Sequence, residues 1–433
     1  MKNWSGIHHW SPAQIAFPTS EEEIVRVVQR ARERRIAVRT IGSGHSFTPL
    51  SVTEETLVCL DDYRGIVAID RENMRVTVRS GTKLHQLSEA LHEHGLALEN
   101  LGDIDVQSIA GAVSTGTHGT GTAFGNLSTQ VTALRFVDGN GKIVSCSETD
   151  NPDLLLAARL SLGSFGIITE MTLRVVPRYK LDLQIGKARL DTVLEQLEVY
   201  NGSCRNFEFY WFPNTPYVMT KALRVTDAPV SRITAMSYAR EMFLENYAFL
   251  AICELGYRFP SWNRRLSAFA ASTTGNSSKV DWSHRVFSTP RLVRFNEMEY
   301  SVPLEAYRPV MAALTRWVND HNYDVLFPLE NRFVKGDDSY LSPAYGRNSA
   351  YVAAHVYHKK PYRSYFRELE AIFRDHDGRP HWGKLHTLDF KTVEQLYPKF
   401  DRFSALRHNH DPMGMFLSPY LSSIFQDVSQ LQT

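Results

Sequence analysis

Two glycine-rich loops, about seventy residues apart, constrain this chain more than any other feature of it. The first reads Ile41-Gly42-Ser43-Gly44-His45-Ser46-Phe47, and it follows a short apolar stretch from Ile36 to Ile41 that predicts a strand. The second runs from Ser108 to Gly121 and carries Gly111, Ser114, Thr115, Gly116, His118 and Gly119. Glycine lets backbone N–H groups approach a phosphate closely, and successive N–H groups form an anion-binding concavity. Serine and threonine hydroxyls add donors without adding charge. The first loop is not the nicotinamide fingerprint: Gly42-x-Gly44 has no third glycine at the required offset, and no helix clearly opens there. Two such loops about one ligand suggest a flavin dinucleotide, with His45 able to reach its ring and tether it covalently. The plain alternatives are a tight turn with a surface histidine, and a structural glycine crossover.

Composition removes other classes. A balance of 48 basic to 47 acidic residues, net charge +1, gives no extended nucleic-acid surface. The four cysteines, Cys59, Cys146, Cys204 and Cys253, are widely spaced, so neither a disulfide framework nor a cysteine zinc site is expected. The N-terminus lacks the apolar core of a signal peptide, and no apolar run approaches the ~18 residues of a membrane span. A soluble, reducing, cytoplasmic setting without membrane insertion is the expectation; association with a membrane surface stays open, with the aromatic stretch 238–269 as its candidate, and nothing in the chain sets an oligomeric state.

At 433 residues the chain has room for two domains. The part up to about residue 178 alternates helix and strand. Thr19 or Ser20 caps a helix whose first turn holds Glu21, Glu22 and Glu23, matching the helix dipole. Thr56–Leu60 and Arg75–Arg79 predict strands, and Lys83–His94 a helix stopped by Gly95. Val131–Val137 and Lys142–Cys146 flank Asp138-Gly139-Asn140-Gly141, a strong hairpin signal. Asp153–Leu162 predicts a helix, and Gly166–Val176 a strand ending at Pro177. Beyond it come aromatic-rich strands, as at Phe207–Phe212, and a long helical stretch over Ser231–Leu255.

Two later motifs carry chemistry. In Phe327-Pro328-Leu329-Glu330-Asn331-Arg332-Phe333, a strand would project Glu330 and Arg332 from one face. Read blandly, this is a surface ion pair of little worth. Read functionally, the guanidinium steadies negative charge growing on an alcohol oxygen as hydride leaves carbon. In His381-Trp382-Gly383-Lys384-Leu385-His386, Lys384 stands at a turn and suits the anionic reduced form of a flavin. The His381/His386 pair lacks a carboxylate ligand at metal-site spacing, and no metal is expected.

Taken in order, the first loop, the stretch Leu101–Gly121, Glu330-Asn331-Arg332 and His381–Lys384 resemble the sugar-1,4-lactone oxidases and dehydrogenases of the vanillyl-alcohol-oxidase flavoprotein superfamily. The resemblance runs from about Trp10 to Tyr420. It implies an α+β fold: a two-subdomain FAD-binding domain (vanillyl-alcohol-oxidase/PCMH type) over 1–178 and an α+β cap domain over the flavin at 179–384. Segment 385–433 would pack back on the first domain. It implies FAD bound covalently through His45, with Ile168 also at the cofactor. Ser108 would lie near flavin and substrate, and Glu330, Arg332, Lys384 and, more loosely, His355 would serve the substrate. The implied reaction is oxidation of a sugar-1,4-lactone at C2 by hydride transfer to flavin N5, with O2 or another redox acceptor taking the electrons. An alditol oxidase acting on an open-chain polyol is the alternative.

Overall fold

Ser20, not Thr19, caps the first helix, Glu21–Arg34: its side chain accepts from the Glu23 N–H. In the computed structural model, which describes residues 1–232, 247–289, 293–321 and 325–426, this helix covers a parallel three-stranded sheet. That sheet has the order β1 (Gln14–Ala16), β3 (Thr56–Cys59), β2 (Val38–Ile41). The expected strand from Ile36 thus starts two residues later, because Arg35 turns into the left-handed region at φ 55° to end the helix.

A second sheet, antiparallel, has the order β4 (Ile66–Asp70), β5 (Arg75–Arg79), β9 (Gly166–Arg174), β7 (Val131–Asp138), β8 (Ile143–Ser147). The β7–β8 hairpin turns where the Asp-Gly-Asn-Gly signal predicts, with Gly141 at φ +71°. A short pair, β6 (Leu96–Ala97) with β10 (Val176–Pro177), adds to this part. Two expected helices shrink. Lys83–His94 becomes Leu84–Glu93, and Asp153–Leu162 becomes Pro152–Ala158, because Leu162 and Gly163 both take positive φ. The second glycine loop holds a short helix, Ile109–Ser114, capped by Ser108.

The third sheet has eight antiparallel strands. Its order is β14 (Ser277–Trp282), β11 (Lys180–Arg189), β13 (Tyr217–Thr226), β12 (Asn206–Trp211), β16 (Leu329–Val334), β17 (Ser349–Tyr357), β15 (Phe295–Pro303), β18 (Arg379–Pro380). Strand side chains alternate between faces. Phe207, Phe209, Trp211, Met298, Tyr300, Leu329 and Phe333 form one core with the helices Tyr307–Asp320 and Arg363–Arg374. Each such side chain contributes about 1.5–3 kcal/mol when fully buried. Their neighbours Glu208, Tyr210, Glu297, Glu299, Glu330 and Arg332 are buried too, on the opposite face. Most of the predicted helix over Ser231–Leu255 lies outside the described residues; its described end belongs to the helix Phe249–Arg258, followed by Asn263–Thr273.

The chain's last part returns to its first. Leu388, Val393, Tyr397, Phe400, Phe403, Leu421 and Ile424 share a core with Leu84, Leu87, Leu134 and Phe136. The Met415 carbonyl accepts from the Val38 N–H at 2.9 Å, beside the first glycine loop. All four cysteines are buried free thiols.

Candidate active site

The two glycine loops meet. A Cβ placed on Gly42 would lie 2.2 Å from the Ser108 Oγ, so only glycine lets β2 end this close to the second loop. Gly44 sits at φ +65°. Ser108 Oγ accepts from the Gly111 N–H, and the Ala110 N–H donates to the Ser80 carbonyl. Between the loops is an open cavity of about 1080 Å³ lined by Ile41, Gly42, Ser43, Gly44, His45, Ser46, Ser108, Gly111, Ser114, Thr115 and Ile168. Among the described residues, the N–H groups of Ser43, Gly44, His45 and Ser46 donate no hydrogen bond within the protein. Two buried polar atoms of the lining residues, Ser80 Oγ and Gln107 Oε1, also lack a protein partner. Unused N–H groups, orphan polar atoms and a cradle that a Cβ would fill suit the pyrophosphate and sugar of a dinucleotide.

A second cavity, about 800 Å³, shares His45, Ser46, Gln107 and Thr115 with the first. His45 therefore stands at the junction. Its ring stacks on Trp4 with centroids 5.4 Å apart. Burial, helped by Lys384 and Lys83, lowers its pKa to about 4, so the imidazole is neutral and nucleophilic at pH 7.

Phe47, His118, Glu330, Arg332, His355 and Lys384 line the second cavity as well. The pairing of β12 with β16 sets Glu208 opposite Arg332 and Tyr210 opposite Glu330. Arg332 Nε donates to Glu208 at 3.0 Å, its NH2 group pairs with Glu330, and Asp103 lies 3.5 Å away. This pair is buried, not a surface pair. Burial opposes the Arg332 charge, but the three carboxylates outweigh it and hold the guanidinium charged well beyond its ordinary range. Burial pushes the Glu330 carboxyl upward against the pull of Arg332, and the Tyr210 hydroxyl donates to it at 2.8 Å.

On β15, Glu297 stands opposite His355 of β17. One carboxylate oxygen lies 3.3 Å from His355 Nε2, and the other pairs with Lys384 Nζ. Burial pulls the Lys384 ammonium down, yet Glu297 and Glu299 outweigh it and set its pKa above the ordinary lysine value. Lys384 also lies 5.3 Å from the Phe47 ring centroid.

His118, Glu299 and His381 bring three ligand-type atoms within 4.8 Å of one another, a grouping with metal-site size. Their hydrogen bonds argue for a closed polar network instead. His118 engages the Gly119 carbonyl through Nδ1 and Glu299 through Nε2. His381 Nδ1 accepts from the Gly383 N–H at 3.0 Å, which leaves its proton on Nε2 and no lone pair for an ion. His386 is elsewhere, bonded to the Tyr420 hydroxyl at 2.6 Å.

The expected residues thus divide. Ser108 lines the first cavity, where it caps a helix, and not the second. Gly116 packs on Leu160, and Gly119 packs against the Leu101 carbonyl; neither lines the first two cavities. Sequence reasoning missed Asp103, Glu208, Tyr210, Glu297 and Glu299. A signal existed for four of them: Glu208-x-Tyr210 and Glu297-x-Glu299 sit at period two inside aromatic strands.

Residues 171–424 match the family described as D-arabinono-1,4-lactone oxidase, and residues 12–147 match an FAD binding domain. An L-gulono-1,4-lactone dehydrogenase of Mycobacterium tuberculosis is 38% identical, over 96% of this chain and 97% of that protein. An L-gulonolactone oxidase of Scyliorhinus torazame is 32% identical, over 98% of each. Among solved structures, a cholesterol oxidase from Brevibacterium sterolicum superposes with a TM-score of 0.81 at 17% identity, covering 98% of this chain and 96% of its own. That likeness shows the fold. The comparisons give no support to the open-chain polyol alternative.

Proposed function

The chain belongs to the D-arabinono-1,4-lactone oxidase family, and we propose that it oxidises a sugar-1,4-lactone of the gulono, galactono or arabinono class at C2, with FAD held in the first cavity and the lactone in the second. The observation that carries this reading is the junction of the two cavities at His45, with Arg332 and Lys384 lining the second. FAD, when bound, supplies the acceptor for the hydride and its two electrons. The free N–H groups of Ser43 to Ser46 and the Ser114 and Thr115 hydroxyls would hold it. The neutral His45 ring, at the junction of the two cavities, would bond the flavin covalently.

The protein's own groups divide the remaining work. Arg332, fixed by three carboxylates, presents a permanent positive charge to the lactone oxygen that loses its proton. Such a preorganised donor needs no reorganisation as charge develops. Glu297 orients His355 by accepting at Nε2, which leaves Nδ1 as a base for the hydroxyl proton. Lys384, held by the other oxygen of Glu297, would supply positive charge to the flavin ring when the cofactor is bound. The 2-keto product then enolises to an ascorbate-type compound.

The test is anaerobic mixing of the yellow holoenzyme with L-gulono-, L-galactono- and D-arabinono-1,4-lactone. Bleaching of the flavin by at least one is expected, and none by xylitol. An enzyme that keeps its colour with every lactone sinks the reading. Acid precipitation tests the tether: yellow in the pellet, moving to the supernatant in His45→Ala.

A further inference from the structure

Beyond the lactone site lies a third cavity, about 1900 Å³, larger than the other two. It shares Asp103, Phe295, Glu330, Arg332 and His355 with the second, so the two are joined across the charged wall. Its other half is mostly apolar: Ile185 and Met219 from the sheet, Val286 and Phe287, and Phe249 and Ala270 from the helices Phe249–Arg258 and Asn263–Thr273. Lys279, Arg285 and Thr274 are polar exceptions there, and Lys221, Glu208 and Asn206 line the side nearer the charged wall. A sugar lactone carries oxygen on nearly every carbon and gains nothing from an apolar half-chamber, where its hydroxyls would lose water without finding partners.

The outer surface of these two helices, their link and the residues just before them is unusual. Five of the seven exposed Phe, Tyr and Trp side chains among the described residues are Tyr247, Tyr257, Phe259, Trp262 and Phe269, and Leu255 is exposed beside them. Phe259 and Trp262 stack on each other at 5.1 Å. Arg258, Arg264 and Arg265 are exposed in the same stretch, against one acid, Glu254. Aromatic rings interleaved with arginines suit an anionic bilayer surface. No helix among the described residues is long and apolar enough to cross a membrane, so this face would rest on one.

We propose that the third cavity binds a lipid-soluble acceptor of the quinone class, which reaches it from a bilayer on which this helical pair rests. The inference rests on the lactone-oxidation reading, which leaves two electrons to be passed on. The apolar half takes the quinone ring and tail, and Arg332, on the wall shared with the second cavity, faces a carbonyl oxygen. The balance closes. The lactone loses two electrons and two protons as C2–OH becomes C=O, and the quinone gains both as its two carbonyls become hydroxyls, with the flavin carrying the electrons between them.

The experiment uses the holoenzyme and two cavity-filling variants, Ile185→Trp and Ala270→Phe, remote from the lactone-side residues. A water-soluble short-chain ubiquinone analogue is expected to reoxidise the lactone-reduced enzyme. Both variants should slow that step at least tenfold and weaken calorimetric binding of the analogue to the oxidised enzyme as much. Bleaching by lactone and reoxidation by ferricyanide should be unchanged. Failure of the analogue to bind or to reoxidise, or filled variants that behave as wild type, overturns the proposal. So does an equal slowing of lactone bleaching, which would mean that the chamber holds part of the substrate. If no lactone bleaches the flavin, the lactone reading fails instead, and the acceptor site is tested on dithionite-reduced enzyme. With long-chain ubiquinone in vesicles of phosphatidylcholine and phosphatidylglycerol, Phe259→Ser/Trp262→Ser should lose most of the vesicle rate and keep the short-chain rate. A retained vesicle rate, or self-association through this face in light scattering, overturns the bilayer part.

Discussion

The two joined cavities recognise their ligands by opposite means. The first is built from two local loops, uses glycine and hydroxyls, and offers unspent backbone N–H groups, with Lys83 paired to Asp61 and bonded to Ser43 Oγ at its edge. The second is assembled from several strands of one sheet and packs two cations against five carboxylates, all largely buried. A backbone cradle tolerates substitution only where no Cβ intrudes. A charged cluster tolerates it only where no partner is stranded, because an unpaired buried charge is far costlier than a lost contact.

Arg332→Ala should give the largest effect and separate the regions most cleanly. Turnover should fall by about 10²–10³ with flavin content unchanged, as for loss of one preorganised donor. Flavin loss in that variant, read from the visible spectrum, would show that the cavities are not independent. The converse change is Gly42→Val. Its Cβ would meet Ser108 Oγ at 2.2 Å, so flavin content should drop sharply, with about 1–3 kcal/mol of overpacking strain in denaturant melts. Gly42→Ala combined with Ser108→Gly should recover flavin if that contact is the cause.

Glu297→Gln sharpens the comparison inside the charged region. Removing the anion that raises the Lys384 pKa should move the basic limb of the kcat/KM profile to lower pH. An unmoved limb would detach Lys384 from the rate. Acid stability probes the same region more gently. His381 and His45 sit at about 3 and about 4 in the fold, against an ordinary 6.5. The unfolded chain therefore binds more protons between these values, and stability should begin to fall as pH drops below about 6.5. Glu299, held well below its ordinary 4.5 by His118 against the effect of burial, adds a further loss below about 4.5. A Tm flat from pH 7 to 4 would contradict both. The smallest effect is the control, Arg189→Ala, which breaks an exposed pair with Asp191 and should leave Tm, colour and rate alone.

The first cavity was largely legible in the sequence because its parts are contiguous: a strand, a Gly-Ser-Gly-His turn, and a Ser-capped glycine segment seventy residues on. Glu330 and Arg332 were legible as a pair because strand geometry puts alternate residues on one face. Their partners were not. Nothing near Glu208 or Asp103 along the chain points to Arg332, and Glu297 meets Lys384 only because β15 lies between β17 and β18. Ser108, expected near flavin and substrate, lines the first cavity, where its hydroxyl accepts from the Gly111 N–H.

The sequence by itself determined the local conformations: where helices cap, where the hairpin turns, and which loops leave N–H groups free. Those depend on side chains a few residues apart. Only the tertiary structure decided which charges neutralise one another and which cavities join. Strand order sets those distances, and it is fixed by packing of the whole aromatic core.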